Sequence, residues 1–161
     1  MKKTILKRFL VLAAAMMLML TAAGCSGAAP TPKGYYATQT RMSAVDYNAY
    51  VSKQLTTFAS LINSRLVCIK NNSGDGNDVE SDLASDAIDT MTQIREQVLV
   101  TYPSNGSDEH RKSVLEAMDV AISNMEAYRD AVDSGKTTSA FKTDFQNDFN
   151  NITSLAQMYS Y

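Results

Sequence analysis

The sequence contains few of the residue types that support common kinds of site. It has no tryptophan, one histidine, two cysteines, three prolines and seven glycines among 161 residues. Two cysteines are too few for a disulfide-stabilised scaffold, and one histidine excludes metal centres that need several imidazole ligands. The net charge of −2 provides no basic surface of the kind that binds nucleic acid. The few prolines and glycines exclude a low-complexity chain, so the length predicts one folded domain.

Long apolar runs are absent except near the N-terminus. Basic residues within the first eight positions precede an apolar run from Phe9 to Ala23, which only Thr21 interrupts. As a helix, about 15 residues span about 22 Å, which is shorter than a bilayer core of about 30 Å. The pattern therefore predicts an export signal over residues 1–24 and not a membrane-spanning helix.

The apolar run ends at Ala22-Ala23-Gly24-Cys25, which resembles the lipobox of bacterial lipoproteins. The resemblance covers residues 1–25 only, and Ala22 stands where the pattern usually has leucine. It implies that Cys25 carries a diacylglyceryl thioether and becomes the N-terminus after cleavage behind Gly24. The implied location is the extracytoplasmic face of a bacterial membrane, with the lipid as the anchor. An ordinary secretory signal with an incidental cysteine, or an uncleaved anchor, is the alternative interpretation.

The next segment, residues 25–42, is predicted to be the lipidated cysteine followed by a flexible tether. Its sequence from Ser26 to Gly34 is small and interrupted by proline, and it shows no apolar period. The chain has 15 basic and 17 acidic residues; the first 24 residues hold four basic and no acidic ones, which leaves a net charge of about −6. We therefore expect the lipid, and not electrostatic attraction, to hold the protein at an anionic membrane.

From residue 43 onward, apolar residues recur at steps of three and four, which predicts helices at about 44–70, 79–101, 108–134 and 139–159. Ser43 and Ser107 are the expected N-caps of the first and third helices, and Gly135 is expected to end the third. The apolar stripe of the second helix is expected to begin at Leu83. No stretch alternates with the period of a strand. Residues 43–161 are thus predicted to be an all-α, antiparallel four-helix up-down-up-down bundle.

Several candidate sites in the sequence have simpler interpretations. The Asn71–Asp82 segment has a glycine at the sixth position of a calcium loop, but asparagine begins it and the shorter aspartate ends it, so a polar turn is favoured. The acidic residues along the second and third helices are expected to be solvated. Cys68 is expected to be a partly buried apolar residue and His110 to face water. No catalytic residue, metal ligand or cofactor is predicted.

Four tyrosines lie near the tether and the start of the first helix, and tyrosine is common at protein interfaces. They are the predicted partner contacts: Tyr35, Tyr36, Tyr47 and Tyr50. The sequence favours a non-enzymatic module that binds a protein or envelope component near the membrane. A bundle that binds or senses a small molecule or cation is the alternative, and an enzyme whose groups meet only in three dimensions is a third.

Overall fold

The computed structural model describes residues 39–71 and 78–160. Within them the chain forms four α-helices, two short β-strands and one 3₁₀ turn. The elements in chain order are β1 (Thr40–Met42), α1 (Ala44–Lys70), α2 (Asp78–Val100), β2 (Thr101–Pro103), α3 (Arg111–Asp133), the 3₁₀ turn (Ser139–Phe141) and α4 (Lys142–Met158). The predicted mostly helical fold is confirmed.

Helix α1 begins where its sequence predicts. The Ser43 hydroxyl oxygen accepts the backbone N–H of Asp46 at 3.2 Å and donates its own proton to the Asp46 carboxylate at 2.6 Å. The cap therefore satisfies one of the amides that a helix start leaves without a partner. An apolar residue every three or four positions, from Val51 to Ile69, places the inner face of the helix in the core.

Helices α2 and α3 also bury one apolar stripe each, with one correction. Leu83, the expected first residue of the α2 stripe, is 44% exposed, whereas Ala84 beside it is fully buried. The difference arises because the buried Glu80 sets the rotation of the first turn, and Ala84 lies one turn further on the same face. The rest of the stripe, from Ala87 through Met91 to Val98, is buried as predicted.

The centre of the core holds large side chains from α1, α3 and α4. Tyr47, Phe58, Tyr128 and Phe145 are each at most 2% exposed. The rings of Tyr128 and Phe145 lie 5.3 Å apart, and Phe141 from the 3₁₀ turn packs edge-on against Tyr128 at 5.8 Å. Such aromatic pairs contribute about 0.5–1.5 kcal/mol beyond the area they bury.

The two strands were not predicted from the sequence. β1 and β2 pair in parallel, with Thr40 opposite Thr101 and Met42 opposite Pro103. Each strand has three residues, which is too short for a period of two to be recognised. Residues 40–42 lie within the predicted tether, and the prediction that they are a flexible segment is wrong, because they form β1.

The third helix starts later than predicted, whereas it ends where predicted. α3 starts at Arg111, and the expected cap Ser107 lies four residues before it, because the Asp108 carboxylate accepts the His110 N–H at 3.0 Å and holds the intervening residues in a turn. At the other end Gly135 has φ of 63° and donates to the Val132 carbonyl, as a helix-terminating glycine does.

Candidate functional site

The Asp108 carboxylate joins three parts of the chain at one end of the helices. The Tyr47 hydroxyl of α1 donates to Asp108 Oδ2 at 2.5 Å, and the Tyr159 hydroxyl after α4 donates to Oδ1 and Oδ2 at 2.8 and 2.7 Å. The two tyrosine rings meet edge to face, with centroids 6.2 Å apart. One carboxylate in the α2–α3 connection thus accepts from two buried phenols, which fixes the position of all three residues.

The same arrangement determines the protonation of the two phenols. Burial raises the pKa of Tyr47 well above its ordinary value, and the hydrogen bond and charge of Asp108 raise it further. Burial and Asp108 raise the pKa of Tyr159 in the same way. Both phenols are therefore neutral hydrogen-bond donors at physiological pH, and neither is activated as a phenolate nucleophile or base.

A pocket of about 260 Å³ opens beside this cluster, and we call it the Asp108 pocket. Asp108, Glu109 and His110 are its ionisable residues besides the two tyrosines. The His110 side chain is 47% exposed, as predicted, and its Nε2 lies 3.9 Å from the Glu109 carboxylate. The lining contains two carboxylates and no lysine or arginine.

Arg111 lies close to the pocket, where its guanidinium acts to lower the pKa of Tyr47, and it also binds carbonyls next to the pocket. Its nitrogens donate to the carbonyls of Val98 at 2.9 Å, Thr101 at 2.8 Å and Leu99. Val98 and Leu99 lie in the last turn of α2, where carbonyls have no partner within the helix, and Thr101 is the first residue of β2. The guanidinium also stacks over the Tyr102 ring, 4.1 Å from its centroid. Arg111 therefore caps α2 from the start of α3, which the α2 sequence alone does not indicate.

A shallow groove of about 560 Å³ adjoins the pocket and runs along the first half of α1; we call it the α1 groove. Its floor consists mainly of small side chains, and Val45 at its edge is 78% exposed. The residues common to the groove and the Asp108 pocket are Ala44, Asn48 and Tyr159. The two depressions are therefore neighbours on one surface.

A second polar cluster lies in the interior, nearer the start of α2. Glu80, 4% exposed, accepts from Arg65 at 2.7 Å and from the Tyr128 hydroxyl at 2.7 Å. Burial and the Glu80 carboxylate raise the pKa of Tyr128, and the half-buried Cys68 thiol nearby adds to this effect. The Nε of Arg65 is buried and has no hydrogen-bond partner among the described residues. The cluster ties three helices together but faces no pocket described above.

The structure describes two of the four predicted contact tyrosines, Tyr47 and Tyr50. Tyr47 is 2% exposed and bonded to Asp108, so the prediction that it contacts a partner is wrong; its ring fills the core instead. Tyr50 is half-buried, with its hydroxyl 3.4 Å from Gln97 Oε1. Tyr35, Tyr36 and the predicted lipid-attachment residue Cys25 lie outside the described residues.

Metal-binding groups and membrane-spanning helices were both sought among the described residues. In the segments 39–71 and 78–160, no group of three or more histidine, cysteine, aspartate or glutamate side chains is placed to hold a metal ion. In the same segments no helix is long and apolar enough to cross a bilayer. Of the candidate calcium loop, residues 72–77 lie outside the described residues and Asp82 is exposed.

Comparison with the models of protein families, with curated proteins and with solved structures found no match for this chain.

Sequence reasoning missed the residues that form both polar clusters. By sequence alone, Tyr128 and Tyr159 continue the apolar period of their helices, and Glu80 and Asp108 are acidic residues near helix starts, where negative charge is favourable. A usable signal was present, because a tyrosine on a core stripe needs a buried acceptor for its hydroxyl. Which acidic residue supplies the acceptor depends on the packing of helices distant in sequence.

Proposed function

We propose that this protein is a lipid-anchored extracytoplasmic lipoprotein whose helical domain is a non-enzymatic module that binds a protein or envelope partner. The anchoring proposal is supported by the basic start, the short apolar run and the small residues before Cys25. The binding proposal is supported by one structural observation. The α1 groove and the Asp108 pocket are two open depressions that adjoin at the start of α1, the end nearest the anchor in sequence.

The proposed helix arrangement is an antiparallel up-down-up-down bundle. Contacts between the end of one helix and the start of the next support it: Arg65 with Glu80, Arg95 with Asp119, and Tyr128 with Phe145. Spin labels at the exposed positions Val67 and Val79 should be much closer together than labels at Val45 and Val79, because α1 is about 40 Å long. Equal distances for the two pairs would contradict this arrangement.

Anchoring is tested by metabolic labelling with an alkyne-tagged fatty acid in a bacterial host. Cys25→Ser should abolish labelling and release the protein from membranes. Cys68→Ser is the matched control, since it removes the other cysteine of the chain and should leave labelling unchanged. Labelling that persists in Cys25→Ser would exclude the lipoprotein proposal.

Partner binding is tested by photo-crosslinking in the native cells. A photoreactive residue replaces Val45 at the α1 groove or, as a control, Val120, which is 55% exposed on α3 outside the groove. We expect one reproducible crosslinked protein from position 45 only, and its loss when Ala49→Arg fills the groove. Identical products from both positions, or none from position 45, would contradict a binding role for this surface.

The second candidate function is binding of a small molecule, and the polar lining of the Asp108 pocket favours it. Binding to the folded state alone would raise the melting temperature in proportion to the logarithm of ligand concentration. A thermal-shift screen of amines and divalent cations tests this function. A shift that Glu109→Gln reduces would support it, and no shift at millimolar concentrations would exclude it for those compounds.

A further inference from the structure

The α1 groove is long relative to its depth, which restricts what can fill it. Its lining residues on α1 extend from Ala44 to Thr57. At 1.5 Å per residue, these 14 positions span about 20 Å. An extended peptide of about six residues covers the same length. A compact small molecule would contact only part of such a surface.

The chemistry of the groove changes along its length. Ala44 and Ala49 provide small apolar side chains that allow close approach of another backbone, and Val45 offers an exposed apolar contact. Lys53 is the charged residue among the lining of the groove, five residues beyond Asn48. The depression is therefore apolar in the middle, with a positive charge on one side and the carboxylates of the pocket on the other.

The lining of the Asp108 pocket holds two carboxylates and no lysine or arginine, and the Arg111 guanidinium, which interacts with the Tyr47 hydroxyl from outside the lining, offsets part of their charge. Arg111, the nearest guanidinium by sequence, donates to three carbonyls at and just after the end of α2. The Glu109 side chain is 85% exposed, so its charge is available to a partner. A basic side chain entering the pocket would lie near the Asp108 and Glu109 carboxylates.

We propose that the α1 groove and the Asp108 pocket together bind a segment of a partner protein that has small apolar residues and one lysine or arginine. The apolar residues lie along the groove and the basic side chain enters the pocket. This inference rests on the proposed binding function and specifies the chemistry of the partner. Charge complementarity and the length of the groove carry it, because groups of opposite sign select the partner and its orientation.

The test is an unbiased selection from phage-displayed random dodecapeptides on the full-length lipoprotein in detergent. We expect the enriched peptides to share one basic residue within a stretch of alanine, valine or leucine. Ala49→Arg should abolish their binding, since it fills the groove. Glu109→Lys should weaken binding about fivefold, as expected for reversing one exposed charge about 8 Å from another. Glu126→Lys on α3, with the same charge change away from the pocket, should leave binding unchanged.

Salt provides a second readout that loss of folding does not mimic. Raising the ionic strength to about 1 M shortens the screening length to about 3 Å and should weaken binding to wild type more than to Glu109→Gln. Enrichment of acidic or purely apolar peptides, no enrichment at all, or equal losses for Glu109→Lys and Glu126→Lys would overturn the inference. If a partner is crosslinked at position 45 but one of these results is also obtained, the proposed binding function remains supported. Only the inference that the partner supplies a basic segment is then excluded.

Discussion

Removing the buried Glu80 carboxylate should destabilise the protein far more than removing the exposed Asp119 carboxylate, although each lies at the same distance from an arginine. Glu80 and Arg65 are 2.7 Å apart, with side chains 5% and 14% exposed. Loss of one partner leaves the other charge buried without compensation, which costs about 3–5 kcal/mol. Tyr128 would also lose the acceptor of its hydroxyl. We expect Glu80→Ala to lower the free energy of unfolding by this amount, or the melting temperature by roughly 12–20 °C.

The matched control is Asp119→Ala. Asp119 lies 2.7 Å from Arg95, but the two side chains are 53% and 23% exposed. Exposed ion pairs contribute at most about 1 kcal/mol, because water already solvates both charges. The same distance with different burial should therefore give a several-fold difference in destabilisation.

The assay is equilibrium urea unfolding followed by circular dichroism at neutral pH, on protein without residues 1–24 and with Cys25→Ser. A third variant combines Arg65→Met with Glu80→Leu and should lose much less stability than Glu80→Ala, since no unpaired charge remains. The reasoning is refuted if Glu80→Ala and Asp119→Ala differ by less than about 1 kcal/mol.

Three further predictions concern other contacts. Tyr47→Phe should cost about 1–2 kcal/mol in urea unfolding, since it removes one donor from the Asp108 carboxylate. Arg111→Lys should lower the free energy of unfolding by about 1–2 kcal/mol, because an ammonium group cannot donate to three carbonyls as the planar guanidinium does. As a control, Lys112→Met at the exposed neighbouring position should change the free energy of unfolding by less than about 0.5 kcal/mol. Burial raises the pKa of Asp148 above 3.8, so its folded form holds the proton more tightly and stability falls as pH rises through the folded pKa. Asp148→Asn should therefore raise the melting temperature at neutral pH but not at pH 3, and the opposite trend would contradict the assigned cause.

The α1 helix illustrates how much of the fold is local. Its cap at Ser43, its apolar period and its end at Lys70 can all be predicted from neighbouring residues. The Gly135 terminus of α3 is equally local, because a left-handed conformation favours glycine wherever it occurs. The type of an element and the face of a helix that is buried thus depend on residues within about four positions of each other. Such local patterns can be recognised in the sequence itself.

The strands and the start of α3 depend on distant residues. β1 exists because Thr101–Pro103 lies beside it, 61 positions along the chain, and three residues alone carry no strand signal. Ser107 has the right side chain for a cap, but the tyrosines of α1 and α4 hold Asp108 and shift the helix start to Arg111. Prediction failed at these places because long-range contacts outweighed local preference.

The sequence by itself determined the four helices, their buried faces and the chemical types available for a site. Tertiary structure alone decided that the hydroxyl of Tyr47, one turn before Val51 on the same buried face, donates to Asp108. It also decided that Asp108 and Glu80, alike in sequence as acidic residues near helix starts, each accept a buried tyrosine hydroxyl. The physical reason is that helix periodicity depends on neighbours, whereas a buried hydroxyl requires an acceptor that only packing can bring within reach.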